Sequence, residues 1–285
     1  MVCNSCPRAC GKDRSIEKGF CGSDNNIRIA KIMVHRGEEP VLTGENGSGT
    51  VFFSGCVLKC PFCQNYPISH GNKGEIYSAD ELKNELLKLQ DLGVNNINLV
   101  TPTHYIEQLI PILKEIKPLL NIPIVYNTGG YELPSQIKKL EGLIDIYLPD
   151  LKYYSNEAGE KYSSAKNYFH FASQSIKEMV RQQPCAVIEN GIMKKGVIIR
   201  HLVLPGYYKD SLKLMEWIKT EFENPPLVSV MRQYTPCYDA EKYPEINRRI
   251  TTFEYDKVTG FCADLGLDGF TQLKGCETLD MTPDF

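Results

Sequence analysis

The chain has no apolar run of membrane-spanning length, no long stretch of Lys or Arg and no low-complexity break. The first absence excludes a membrane-crossing helix. The second, with a net charge of −3, argues against nucleic acid as the main partner. A secretion signal would need an apolar stretch where Cys3 stands, so the expected location is the cytoplasm. A reducing compartment keeps thiols free, so the eleven cysteines are poor candidates for disulfides and metal ligation better explains the clustered ones. At 285 residues and 42% apolar content the chain can bury a large core, and α/β barrels reach this size as one unit.

The stretch with the most chemistry is Ser54-Gly55-Cys56-Val57-Leu58-Lys59-Cys60-Pro61-Phe62-Cys63-Gln64-Asn65, with three thiols at C-x3-C-x2-C spacing and no fourth within reach. Structural zinc sites and four-cysteine iron-sulfur runs close their coordination, so an odd count points to a ligand from outside the protein at the last corner. Three buried or zinc-binding cysteines that fall at this spacing are the plainer reading. Gly55 and Pro61 keep the segment from being a plain helix. A second group, Cys3, Cys6, Cys10 and Cys21, sits in a Gly- and Pro-punctuated segment too short to bury a core of its own. A zinc ion and a second iron-sulfur cluster both fit four thiols, and idle thiols are the alternative. Cys185, Cys237, Cys262 and Cys276 are scattered and read as buried structural thiols.

Alternation of apolar residues at Ile27, Ile29, Ile32 and Val34 suggests a hairpin or edge strands. Strand-helix units follow. Strands are expected at Thr50–Ser54, Asn96–Val100, Ile124–Tyr126, Ile144–Leu148, Val197–Leu204 and Leu227–Gln233. Helices are expected at Ser78–Leu92, behind a Ser78/Glu81 capping box, around Leu109 with Pro111 as its kink or true start, and near Ser135–Leu140, Asn167–Gln182 and Ser211–Phe222. The fold class is therefore α/β, a partial open (β/α)6 TIM-like barrel with a small Cys-rich N-terminal extension. The expected division is 1–48 for that extension, 49–240 for the barrel, and 241–285 for a segment covering the barrel end.

The three-cysteine motif, with Phe62 before its last cysteine and a strand before its first, resembles that of the radical S-adenosylmethionine (SAM) superfamily. Asn65, Tyr126-Asn127-Thr128-Gly129-Gly130, Asp150-Leu151-Lys152 and Ile199-Arg200-His201-Leu202-Val203-Leu204-Pro205-Gly206 resemble segments of glycyl-radical-enzyme activases. With Val100-Thr101-Pro102-Thr103-His104-Tyr105 and the N-terminal cysteines, the resemblance is to the PflX-like branch, related to pyruvate formate-lyase activating enzymes. It implies a 4Fe–4S cluster on Cys56, Cys60 and Cys63, and reductive cleavage of SAM to a 5′-deoxyadenosyl radical that abstracts a hydrogen atom. Phe62, Asn65, Thr101, Thr103, Asn127, Thr128, Asp150, Lys152 and Arg200 would line the SAM site, with a monovalent cation as a further candidate there. The implied partners are a flavodoxin- or ferredoxin-type electron donor and a glycyl-radical enzyme. Two departures stand out: Thr101-Pro102-Thr103-His104 replaces the Gly-Gly-Glu that grips the SAM amino group, and Thr235 stands where activases carry a histidine. These keep open a radical SAM enzyme acting on a small molecule or peptide; a noncatalytic iron-sulfur carrier is a third reading, disfavoured because a carrier needs neither an open iron nor SAM-like contacts.

Overall fold

The computed structural model describes residues 2–71, 73–276 and 283–285. Among them, residues 2–26 hold turns and an isolated bridge between Val2 and Asp13, with no helix or strand. Regular structure begins with β1 (Ile27–His35), and the short α1 (Pro40–Thr43) leads into β2 (Ser48–Phe53), antiparallel to β1. The cysteine loop, α2 (Tyr66–Ser69) and β3 (Glu75–Tyr77) follow, with β3 antiparallel on the other edge of β1. The chain then runs through α3 (Ala79–Asp91), β4 (Ile97–Val100), α4 (Ile106–Ile116), β5 (Ile124–Thr128), α5 (Pro134–Lys138), β6 (Ile146–Pro149), α6 (Asn156–Ser163) and α7 (Tyr168–Gln182). It continues through β7 (Val187–Glu189), β8 (Ile192–Leu202), α8 (Tyr208–Glu221), β9 (Leu227–Met231), α9 (Thr252–Asp264) and β10 (Gly269–Thr271).

The spatial order is β10-β9-β8-β6-β5-β4-β2-β1-β3; along this path every pairing from β2 to β10 is parallel, while β7 lies off it, antiparallel to β8. Among the described residues β3 and β10 end the path without pairing to each other, so the sheet forms a partial barrel open on one side. The six expected parallel strands are present, and β10 adds a short seventh. β4, β5 and β6 are buried along their whole length, as parallel strands covered on both faces must be.

Local chemistry sets most of the boundaries. Ser78 and Glu81 cap α3 reciprocally, and Thr251 and Glu254 do the same for α9. Three features depart from expectation. Pro111 does not mark the start of α4, which begins at Ile106 and carries the proline on its exposed face. β8 begins at Ile192, because Asn190 and Gly191 take φ of 50° and 79° and fold β7 back onto it, the two-residue turn that Asn-Gly favours. α6 arises where Ser155 caps the Ala158 N–H. The expected boundary after residue 48 falls inside β2, which pairs with β1.

Helices cover the outer face of the sheet. Inside the barrel Leu42 of α1, fully buried, packs among Val125, Ile146, Leu148, Met193 and Ile198 and closes its lower end. Leu42→Ala should cost about 2–5 kcal/mol in chemical denaturation, and a loss under about 1 kcal/mol would mean that α1 does not plug the barrel.

Candidate active site

The cysteine loop leaves the C-terminal end of β2, the end over which loops of parallel sheets converge. Gly55 starts it at φ 86°, and a Cβ there would lie 2.4 Å from Ser23 Oγ and 2.7 Å from Cys21 O, so only glycine fits. Cys56 N–H donates to Cys21 O (3.1 Å), which joins the loop to the N-terminal segment.

Cys56, Cys60 and Cys63 line one cavity. Each sulfur has a polar neighbour: Leu58 N–H donates to Cys56 Sγ (3.3 Å), Ser163 Oγ lies 3.0 Å from Cys60 Sγ, and Ser69 Oγ lies 3.2 Å from Cys63 Sγ. Burial pushes the free thiols of Cys56 and Cys63 up to about 11 and about 12, and that of Cys60 up as well. Only a bound metal would make them thiolates near neutrality, and the three hydrogen-bond donors would then stabilise the charge on sulfur. Among the described residues no three His, Cys, Asp or Glu side chains could hold a metal ion as they stand. Three thiols spread around one cavity suit a cluster of several irons better than a lone ion.

The facing wall comes from the ends of β5, β6 and β8. Arg200 donates through Nε to Asp150 Oδ1 (2.9 Å), through Nη2 to Asn127 Oδ1 (2.6 Å) and through Nη1 to Glu38 Oε2 (2.9 Å). Lys152 Nζ donates to the other oxygen of Asp150 (2.6 Å). Burial alone would push the Asp150 carboxyl up, but the Arg200 and Lys152 charges outweigh it and hold the group below its ordinary value. Tyr168 positions this wall from α7. Its hydroxyl accepts from Lys152 N–H (3.0 Å) and lies 2.9 Å from Gly129 O and 2.8 Å from Asp150 O. Gly130, at φ 81°, lets β5 approach so closely that a Cβ would sit 2.1 Å from Asp150 O.

Phe62, Asn65, Thr101, Asn127, Thr128, Asp150, Lys152 and Arg200 all line the cavity with the three cysteines. Thr101 does so at φ 60°, a costly backbone for a β-branched residue and one that glycine adopts freely. Thr103 lies behind the wall, donating to Glu132 Oε1 (2.6 Å). Cys3, Cys6, Cys10 and Cys21 lie in the N-terminal segment, outside the cavity lining. His104 is buried, its Nε2 2.8 Å from Ser54 O, and supports β2 rather than facing the cavity. The scattered thiols are not all buried: Cys185 is exposed and Cys276 lines the cavity.

Three residues of this region escaped sequence reasoning: Glu38, Tyr168 and Glu132. Each is brought in by chain folding rather than by a motif. Glu38 follows β1, far from the strand ends in sequence, and Glu132 lies below Thr128 with Oε1 accepting from Thr103, Thr128 and Tyr126 while Oε2 has no partner.

The Radical SAM superfamily pattern matches residues 50–218, more than half of the chain. The chain belongs to that superfamily and is a radical SAM enzyme, a class that works with a 4Fe–4S cluster and SAM. It is 34% identical over 277 residues to the uncharacterized protein MJ0674 of Methanocaldococcus jannaschii, covering 93% of this chain and 75% of that protein. Among solved structures it shares its fold with a radical SAM methyltransferase from Sphaerobacter thermophilus (TM-score 0.54, 14% identity, 80% of this chain and 67% of that one). It also shares it with Streptococcus suis SuiB bound to precursor peptide SuiA (TM-score 0.53, 16% identity, 78% and 47%). Among the described residues no helix is long and apolar enough to cross a membrane.

Burial raises the Glu132 carboxyl to about 7, an effect that the Thr103, Thr128 and Tyr126 hydroxyls only partly offset. A carboxyl raised in the folded state contributes stability that is fully present below its unfolded value near 4.5 and lost as pH rises through about 7. Thermal unfolding of Glu132→Gln should therefore lose much of the stability difference between pH 5 and pH 8, roughly 3 kcal/mol at most. An unchanged pH profile would show that Glu132 does not titrate in that window.

Proposed function

We propose that Cys56, Cys60 and Cys63 hold the cluster and that Asp150, Lys152, Arg200, Asn127, Asn65, Thr101 and Thr128 position SAM for hydrogen abstraction from a partner polypeptide, as a glycyl-radical-enzyme activase does. Held by Cys56, Cys60 and Cys63, a 4Fe–4S cluster would, with SAM bound on the facing wall and an external electron donor, supply the reductive SAM chemistry that leads to hydrogen-atom abstraction. The protein's own part is to bind and orient. The three-thiol loop faces the ion-paired Asp150–Lys152–Arg200 wall across one cavity, and this juxtaposition carries the reading. SAM has an ammonium, a carboxylate and a sulfonium, so it needs anionic and cationic partners at fixed places. The wall offers both, and Arg200 and Asn127 hold Asp150 and Glu38 in register for that task.

A macromolecular substrate is supported by the lateral opening of the barrel and by an aromatic surface beside the cysteine loop. Tyr66 and Tyr238 stack there, 4.7 Å apart with 9° between their planes, and are 42% and 41% exposed. The second reading, a small molecule or short peptide, is favoured by Thr235, which lines the cavity at the place where activases carry histidine.

Anaerobic protein with SAM and dithionite should release 5′-deoxyadenosine. Cys60→Ala should abolish that release, and turnover at the wild-type level in the variant would refute the assignment of the cluster loop. A glycine-centred paramagnetic signal on an added glycyl-radical enzyme would select the activase, whereas 5′-deoxyadenosine coupled only to consumption of a small substrate would select the second reading. Ser163→Ala removes the hydroxyl beside Cys60, and its expected effect is a more negative reduction potential of the cluster in a spectroelectrochemical titration. An unmoved potential would mean that Ser163 does not donate to the ligand sulfur.

A further inference from the structure

Behind the charged wall lies a carboxylate with no cation of its own. Glu132 is fully buried, and among the described residues its side chain meets three hydroxyls and no Lys or Arg. Thr103, Thr128 and Tyr126 all donate to Oε1 (2.6, 2.5 and 3.3 Å), while Oε2 is left without a partner. Helix α7 fixes the residue from outside, Ser175 Oγ donating to the Glu132 carbonyl (2.9 Å). A lone buried carboxylate is expensive, and hydroxyl donors offset that cost only in part. Gathering three hydroxyls does not require the charge, since a side-chain amide oxygen accepts them as well. The surplus charge asks for a cation.

SAM brings one, because its ammonium enters the cavity with three protons to place. The carboxylates of the wall are already engaged: Asp150 by Arg200 and Lys152, one on each oxygen, and Glu38 by Asn98 and Asn127 on Oε1 (3.0 and 3.2 Å) and by Arg200 on Oε2. Thr128 lines the same cavity, and its hydroxyl proton is committed to Glu132. Thr103, 3.5 Å from Thr128 Oγ1, gives its own proton to the same carboxylate oxygen and so does not compete for the Thr128 lone pairs. Gly130 N–H takes up one of them (3.3 Å). A hydroxyl pinned in this way can accept from a ligand but cannot donate to it, which selects an ammonium over a carboxylate. We propose that Glu132 is a positioning residue for SAM: it holds the Thr128 hydroxyl as an acceptor for the ligand's ammonium and lends that contact a negative charge from one hydrogen bond away. The proposal rests on the SAM reading above and adds to it a carboxylate that never touches the ligand.

The test compares two ligands on anaerobically reconstituted full-length protein at pH 8, where the Glu132 carboxyl is ionised. One is SAM and the other desamino-SAM, in which hydrogen replaces the amino group, and equilibrium dialysis gives both dissociation constants. Glu132→Gln keeps an accepting oxygen and removes the charge, so it should bind SAM about tenfold more weakly and desamino-SAM as wild type does, with thermal stability at pH 8 no lower. Thr128→Val should show the same selective loss, and the double variant should be no weaker than Thr128→Val alone, because the two residues act as one unit. Unchanged SAM binding in Glu132→Gln, equal losses for the two ligands, or additive losses in the double variant would overturn the proposal. Should Glu132→Gln not fold, Thr128→Val decides, an equal loss for both ligands counting against the ammonium contact. Wild type that binds neither ligand would sink the SAM reading itself and this proposal with it, so the two failures are distinguishable.

Discussion

A half-buried guanidinium ties the mouth of this barrel together. Arg200 reaches from β8 to Asp150 at the end of β6, to Asn127 at the end of β5 and to Glu38 in the segment before α1. Each contact satisfies a charge or amide that would be expensive to leave unpaired away from water. Because the partners come from separate stretches of chain, the strand ends can hold a common geometry only if all of them are in place. Lys152 completes the arrangement by taking the second oxygen of Asp150. Opposite charges are thereby held at fixed positions along one wall, as a zwitterionic ligand requires.

The other wall obeys a different constraint, that of close backbone approach. Gly55 gives β2 its exit into the cysteine loop against Cys21, and Gly130 lets the β5 loop press onto Asp150. The loop is therefore backed by the N-terminal segment and faces the charged wall. Hydroxyls and an N–H meet all three sulfurs before any metal is considered. Openness at one side follows from the strand order, since β1 and β3 continue the sheet antiparallel at one end and β10 ends it at the other.

The parallel strands could be read from residue pattern because burial on both faces favours apolar runs, as in Ile124-Val125-Tyr126 and Ile146-Tyr147-Leu148. Capping chemistry is equally local, so α3 was visible from Ser78 and Glu81. The hairpin of β7 and β8 also had its signal in Asn190-Gly191, which the apolar run from Val197 overshadowed. Pro111 did not locate the helix start, which lies at Ile106 after the chain leaves β4.

Sequence alone determined the chemistry that depends on spacing: three cysteines able to share one centre, four more in a segment too short to fold unaided, and strand ends bearing Asp150, Lys152 and Arg200. Only the tertiary structure decided which side chains meet across long stretches of chain. It placed Glu38 on Arg200, Tyr168 under Lys152, Glu132 behind Thr103, and Arg8 between two sets of thiols. The reason is physical: ligand spacing and capping act within a few residues, whereas the pairing of a buried charge is settled by whatever the packed fold brings within hydrogen-bond reach.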